Sequence, residues 1–219
     1  MSYKLQLTLI GILVVGLTAG LALGVLGPRF QRPRESTSSI TIEQEYSYFS
    51  LTREEMIDQA GVIFLGKVVN ISSTQWNQDS GEPWYDEATG AGLQLHSIEF
   101  EVLQPIVDTV GLDKKVTITA LGISPLDNQA NKEGNEVMTQ GGPDHNLKVG
   151  DEAVIFAVKT DLAWRDGTRP ILELIGDPMD AHFIRGDDGL YHGRPNEKPV
   201  SLKELITQIA QRRQTLVQP

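Results

Sequence analysis

Between Lys4 and Arg29 the chain carries no charged residue, and from Leu5 to Leu26 its side chains are mostly apolar or small. At a rise of about 1.5 Å per residue this run makes a helix about 33 Å long, enough to cross a hydrocarbon core of about 30 Å. It shows no polar face, so it does not read as a helix packed on a soluble core. Gly27 and Pro28 end it, and Arg29, Arg32 and Arg34 follow. The expectation is a short tail over residues 1–4 and one transmembrane helix over 5–27. A secretory signal has a shorter apolar stretch, roughly 7–15 residues, and a cleavage site of small residues. Thr18 with Gly20, or Ala22 with Gly24, could supply such a site, but the apolar run continues past both. A retained anchor is therefore preferred over a cleaved signal, which stays open as the alternative.

Orientation pulls two ways. The three arginines after the run favour a cytoplasmic C-terminal side by the positive-inside rule. A short tail before a long hydrophobic run is, against that, the usual layout of an exported bacterial protein. The reading adopted puts the rest of the chain outside the cytoplasm.

Beyond the anchor, residues 28–50 are polar, rich in Ser and Thr, and read as a linker. Residues 51–219 are the length of one domain. Four of the 19 basic residues and one of the 29 acidic ones precede Ser36, which leaves 15 against 28 in the remainder. Such a surface repels phosphate backbones, so no nucleic acid is expected as a partner. The absence of cysteine excludes disulfides, thiolate zinc sites and cysteine nucleophiles.

The domain opens with a capping box, Thr52 with Glu55, and a short helix over 53–60. Strand signals follow. "GVIFLGKVVNISS" (61–73) is rich in β-branched residues, and Gly66 within it marks a bulge or bend. In "LQLHSIEFEVLQPIV" (93–107), His96, Ile98, Phe100 and Val102 share one face. "KKVTITAL" alternates again, residues 152–159 form an apolar strand, and "PILELIG" a fifth. "HFIRGDDGLYHG" is a miniature hairpin turning at Gly186–Gly189. Ser201 and Glu204 open a C-terminal amphipathic helix over 201–213, whose Leu202, Leu205, Ile206 and Ile209 recur at helical spacing. Five long strands, a hairpin and a helix at each end make the chain mainly β. The expectation is a small antiparallel OB-like barrel, closed or partly open, with a β-sandwich as the alternative.

No catalytic motif is found, which leans the reading away from an enzyme. Nucleophile-elbow, phosphate-loop and dinucleotide fingerprints are missing. The segment 127–134 lacks the sixth-position glycine and twelfth-position carboxylate of a calcium loop, where Lys132 and Met138 stand. Of the four histidines, His182 and His192 flank the hairpin with Asp180 nearby, and His96 reads as a hydrogen-bonded core residue. No metal or cofactor is expected. The preferred candidate is a surface: the loop 74–92 carries Trp76, Trp84 and Tyr85 among glycines and acids, and exposed aromatics of that kind stack on sugars or anchor a protein partner. The competing reading folds the tryptophans back over the barrel end. A second long loop, 122–146, is polar, and because both loops leave a strand pair the expectation is that they flank the same barrel mouth.

The succession "AGVIFLGKVVNI", "HSIEFEVLQPI", "KKVTITALG", "GGPDHNLKVGDEAVIFAV", "HFIRGDDGLYHG" resembles a loosely defined group of exported bacterial β-domains of uncharacterised function, over roughly residues 57–193. Such domains are similar in turn to the OB-like netrin and tissue-inhibitor architecture, whose disulfides this chain lacks. The resemblance implies an exported compartment and a barrel, and supplies no site residues. The functional expectation is a membrane-tethered extracytoplasmic domain that binds an envelope protein or a glycan. The alternatives are a carbohydrate-binding module and an enzyme acting on envelope polymers through loop carboxylates with His145 or His182.

Overall fold

The computed structural model describes residues 42–43, 49–82, 84, 92–127, 139–140 and 145–217. The anticipated membrane helix at 5–27, most of the linker, and Tyr85 lie outside the described residues. Among those described, no helix is long and apolar enough to cross a membrane.

The elements run β1 (Ile42–Glu43), α1 (Arg53–Gln59), β2 (Val62–Ile71), β3 (Gln75–Trp76), β4 (Gln94–Asp108) and β5 (Lys115–Leu121). They continue as β6 (Thr139–Gln140), β7 (Glu152–Trp164), β8 (Gly167–Leu174), β9 (His182–Arg185), β10 (Tyr191–His192) and α2 (Leu202–Val217). One eight-stranded sheet is ordered β10-β9-β7-β2-β4-β5-β8, with β3 pairing the start of β4 and β8 also pairing β7. Separately, β1 within the sequence-defined linker pairs in parallel with β6.

The strand chemistry explains the curl of the sheet. Along β2 the register to β4 shifts at Ile63/Phe64, at Leu65/Gly66 and at Val68/Asn70. Such bulges increase local twist and let a sheet bend round a core. At Gly66 a Cβ would stand 2.7 Å from the Phe64 ring, so glycine is what allows that ring to fold across the bend. There Phe64 meets Phe100 edge to face, with centroids 5.5 Å apart. Phe156 of β7 and Phe183 of β9 lie in the same core with Ile63, Ile98, Ile118 and Ile155.

The sheet does not close into a barrel, and here the closed form of the expectation is corrected. Strands β7, β2, β4 and β5 pair antiparallel in sequence, and β8 pairs antiparallel to β7 over eight residue pairs. Between β8 and β5 the pairing is a single parallel one, Thr119 with Glu173. Pro170, in the middle of β8, has no N–H to give to a second ladder, which is why proline is confined to strand edges. The seam therefore stays open where a closed barrel would need continuous hydrogen bonding. It also makes the sheet mixed rather than purely antiparallel.

Both helices cover the core. Thr52 and Glu55 form the reciprocal capping box expected of α1. Helix α2 runs four residues beyond the expected end, to Val217, and buries Leu205 and Ile209 completely. Its arginines serve as ties to the first helix rather than as charges on its last turn. Arg212 Nε donates to Asp58 Oδ1 at 2.7 Å, and Arg213 bonds the Ala60 carbonyl that ends α1.

Candidate functional site

The two long loops meet at the end of the sheet where β2 stops and β4 begins. The Thr74 amide donates to Asp127 Oδ2 at 2.5 Å, and Thr74 Oγ1 accepts the Ser124 amide at 2.9 Å. Ser124 is fully buried by this junction. The described stretches of both loops are thus joined at one end of the open sheet, its loop-lined mouth.

One wall of the mouth is the β7–β8 hairpin, which sequence reasoning ended too early. Asn77 holds it. Its side-chain amide is buried, donates to the Ala163 carbonyl at 2.6 Å and accepts the Leu93 amide at 3.1 Å, while its own carbonyl accepts the Arg165 amide. From this anchor two arginines lie over two indoles. The Arg165 guanidinium is 5.4 Å from the Trp84 ring and also donates to Gln78 Oε1 at 2.9 Å. Arg169 lies 4.6 Å from the Trp164 ring and binds Asp166 at 2.7 Å and Asp79. Stacking of this kind holds the guanidinium plane flat while its edge stays available for hydrogen bonds. Among the described residues, the indole nitrogens of Trp84 and Trp164 are buried without an acceptor.

These positions separate the sequence candidates. Trp76 is 5 % exposed and sits under Gly92, where a Cβ would touch its ring at 2.7 Å. Trp84 is half-buried beneath Arg165. Tyr85 lies outside the described residues. Trp164, Arg165 and Arg169 belong to the same cluster, and the signal that could have found them is the Trp-Arg-Asp-Gly turn linking two alternating strands.

The floor of the mouth is a set of buried histidines. His96 on β4, His145 before β7 and His182 on β9 are all 2 % exposed or less. His96 and His145 face each other with their Nε2 atoms 2.7 Å apart. His96 Nδ1 lies 3.2 Å from the Gly122 carbonyl, and His145 Nδ1 accepts the Leu147 amide at 3.2 Å. His182 Nε2 lies 2.5 Å from Asn146 Oδ1. Burial penalises the charged form of each ring. It pushes His145 down to about 3, helped by the neighbouring His96 and His182, and His182 down to about 4, with the Pro178 backbone and Asp180 opposing. For His96 burial also lowers the value, against the Gly122 hydrogen bond and Asp127. These are neutral imidazoles at neutral pH.

His182 and His192, which flank the hairpin, point apart. His192 is solvent-facing and pairs with Asp188 at 3.0 Å, while His182 points inward to Asn146. Among the described residues no group of three or more His, Asp or Glu is arranged to hold a metal ion. His145 and His182 are both buried, so neither imidazole is presented to solvent in this conformation.

A concavity of about 410 Å³ lies between the 149–152 turn and the 186–189 turn, lined by Lys67, Asp151, Glu152, Arg185 and Asp187 among others. Two of its charges, Glu152 and Arg185, are occupied with each other. Glu152 accepts the Tyr191 hydroxyl at 2.5 Å and an Arg185 nitrogen at 3.4 Å. Burial and that carboxylate raise the Tyr191 hydroxyl pKa, so the phenol stays protonated.

Fold and site together define a class no finer than a mainly-β domain with one curled, mixed sheet, a helix packed at each end, and an arginine–tryptophan cluster beside a loop-lined mouth. No protein-family model matches the chain, and no curated protein or solved structure matches it.

Proposed function

We propose that this chain is a membrane-tethered, extracytoplasmic binding domain that works without catalytic machinery and meets a protein partner at the loop-lined mouth. The single observation that carries this reading is the double stack of Arg165 on Trp84 and Arg169 on Trp164. Arginine and tryptophan are the residues most enriched at energetic centres of protein interfaces. Arg169 is paired with Asp79 and Asp166 and Arg165 with Gln78, so the cluster is a preset polar and aromatic patch and not a free cationic one. A glycan reading would want an indole face open to stacking, and the withdrawal of Trp76 into the core favours the protein partner over it. The tether and the outward orientation rest on the 5–27 run and on the likeness to exported β-domains. In that likeness the curled sheet reads as a partly open OB-like barrel, β7-β2-β4-β5-β8 with β8 returning to β7.

Photocrosslinking in intact cells tests this. A photoreactive residue installed at Asp166, on the hairpin tip, is expected to give a discrete light-dependent adduct. The same probe at Asp113, on the turn after β4, is expected to give none. Arg165→Ala combined with Arg169→Ala should remove the adduct while leaving protein levels unchanged. Equal labelling from both positions, or none from Asp166, would refute the assignment of the mouth.

A further inference from the structure

Each hydrogen bond around His96 and His145 dictates where a proton sits. The Gly122 carbonyl can only accept, so His96 carries its proton on Nδ1 and presents a lone pair at Nε2. The Leu147 amide can only donate, so His145 Nδ1 is the acceptor and the ring's proton lies on Nε2, directed at His96 2.7 Å away. The chain of donors therefore runs from Leu147 through both rings to Gly122, with every position filled.

One more proton has no place in that chain. On His96 it would set two N–H groups head-on across 2.7 Å. On His145 it would set Nδ1–H against the Leu147 N–H at 3.2 Å. Shifting the bridging proton only moves the conflict from one end to the other. Among the described residues no carboxylate bonds either ring. Asp127 from the 122–127 loop acts on His96 from a distance, with its Oδ2 already accepting the Thr74 amide. From the β9 side come His182, which opposes a charge on His145, and Asp180, which is held by Arg194 at 2.8 Å.

We propose that the His96–His145 contact is an acid-released latch: it holds the His145–Lys148 entry to β7 against the mouth while both rings are neutral, and lets it go when either takes a proton. His96 keeps its Nδ1–H bond to Gly122, and Ser124 its tie to Thr74, in either protonation state, so what release frees is the His145–Lys148 segment alone. The sheet core, built on β2, β4 and β7, does not depend on this contact for its ladders.

The test uses the full-length protein in detergent micelles and needs no ligand. Histidine ¹⁵N spectra at pH 7.5 should show His96 as the Nδ1–H tautomer and His145 as the Nε2–H tautomer. Identical tautomers, or a charged ring at that pH, would overturn the latch. Amide exchange at Leu147, corrected for intrinsic rate, should proceed through an opening almost insensitive to urea. Its equilibrium should rise at least about thirtyfold from pH 7.5 to pH 5.0, the factor for one ring that regains an ordinary affinity on release. His192→Gln, outside the cluster, should keep the full rise, and His145→Phe should abolish it. If His145→Phe does not fold, the wild-type exchange and tautomers still decide. An unchanged Leu147 opening, or one with the urea dependence of the Ile155 amide, would mean that the segment leaves only on global unfolding, and the latch would be wrong.

Discussion

At the scale of single residues, the buried imidazoles set how the fold responds to acid. His145 and His182 have folded values of about 3 and about 4, below the 6.5 of a free ring. Between those limits the unfolded chain binds more protons than the folded one, so stability increases with pH there. The contribution is complete above about pH 6.5 and is lost as pH falls, by up to about 1.4 kcal/mol per pH unit for each ring. Carboxylates act later. Asp108, held low chiefly by the Leu112 amide with help from Gly111 and Val110, loses its contribution only as pH drops below its ordinary 3.8. Glu173 is the exception: burial raises its carboxyl above the ordinary 4.5, so near the lower end of the window from pH 6.5 to 4.5 it adds stability as pH falls and offsets part of the histidine loss, leaving the upper part of the window to the histidines. Urea midpoints measured at half-unit steps should fall steadily through it, and His182→Gln should flatten part of that slope. A midpoint constant down to pH 4.5 would mean that the rings are not buried as neutral species.

At the scale of elements, α2 is held by burial more than by charge. Leu205 and Ile209 are fully enclosed in the same cluster as Phe64 and Phe156. Leu205→Ala should cost about 2–4 kcal/mol by loss of transfer energy and the cavity left behind, read as a lower urea midpoint at constant m. Lys203→Ala, one face away and exposed, should change it by less than about 0.5 kcal/mol. If α2 instead served a coiled-coil partner, Leu205→Ala would alter sedimentation and leave the monomer's midpoint in place. These elements were legible in the sequence because their signals are local. The Thr52–Glu55 box, the period of Leu202 to Ile209, the alternation through His96 to Val102 and the kink at Gly66 each lie within one segment. The cluster of His96, His145 and His182 was not legible. Its members come from β4, from the approach to β7 and from β9, and only the fold brings them together. The hairpin carrying Arg165 and Arg169 was missed for a related reason: the exposed outer half of β7, from Lys159 to Trp164, has lost the apolar run that marked its inner half. Pro170 carried the evidence against a closed barrel, since a proline in a strand places that strand at an edge.

At the scale of the whole molecule, the acidic excess and the N-terminal run bear on the same proposal, that the domain is tethered to a membrane. With 15 basic against 28 acidic residues after Glu35, the domain gains no electrostatic attraction to anionic headgroups. Residence at a membrane would then rest on the apolar run alone. That makes the tether separable from everything else: arginine near the centre of such a helix costs roughly 2.5–3.5 kcal/mol on insertion scales. Leu13→Arg combined with Val15→Arg should therefore move the protein from the carbonate-resistant membrane pellet to the soluble fraction. The thermal unfolding of the domain should be unaltered, because no described core contact involves residues before Leu51. Raising salt to 1 M should leave the wild type in the pellet, as expected for a hydrophobic rather than an ionic attachment. Were the wild type released by salt, or the double variant still retained, attachment would have to come from the domain's own surface, and the exposed Phe49 and Met179 would be the first side chains to substitute.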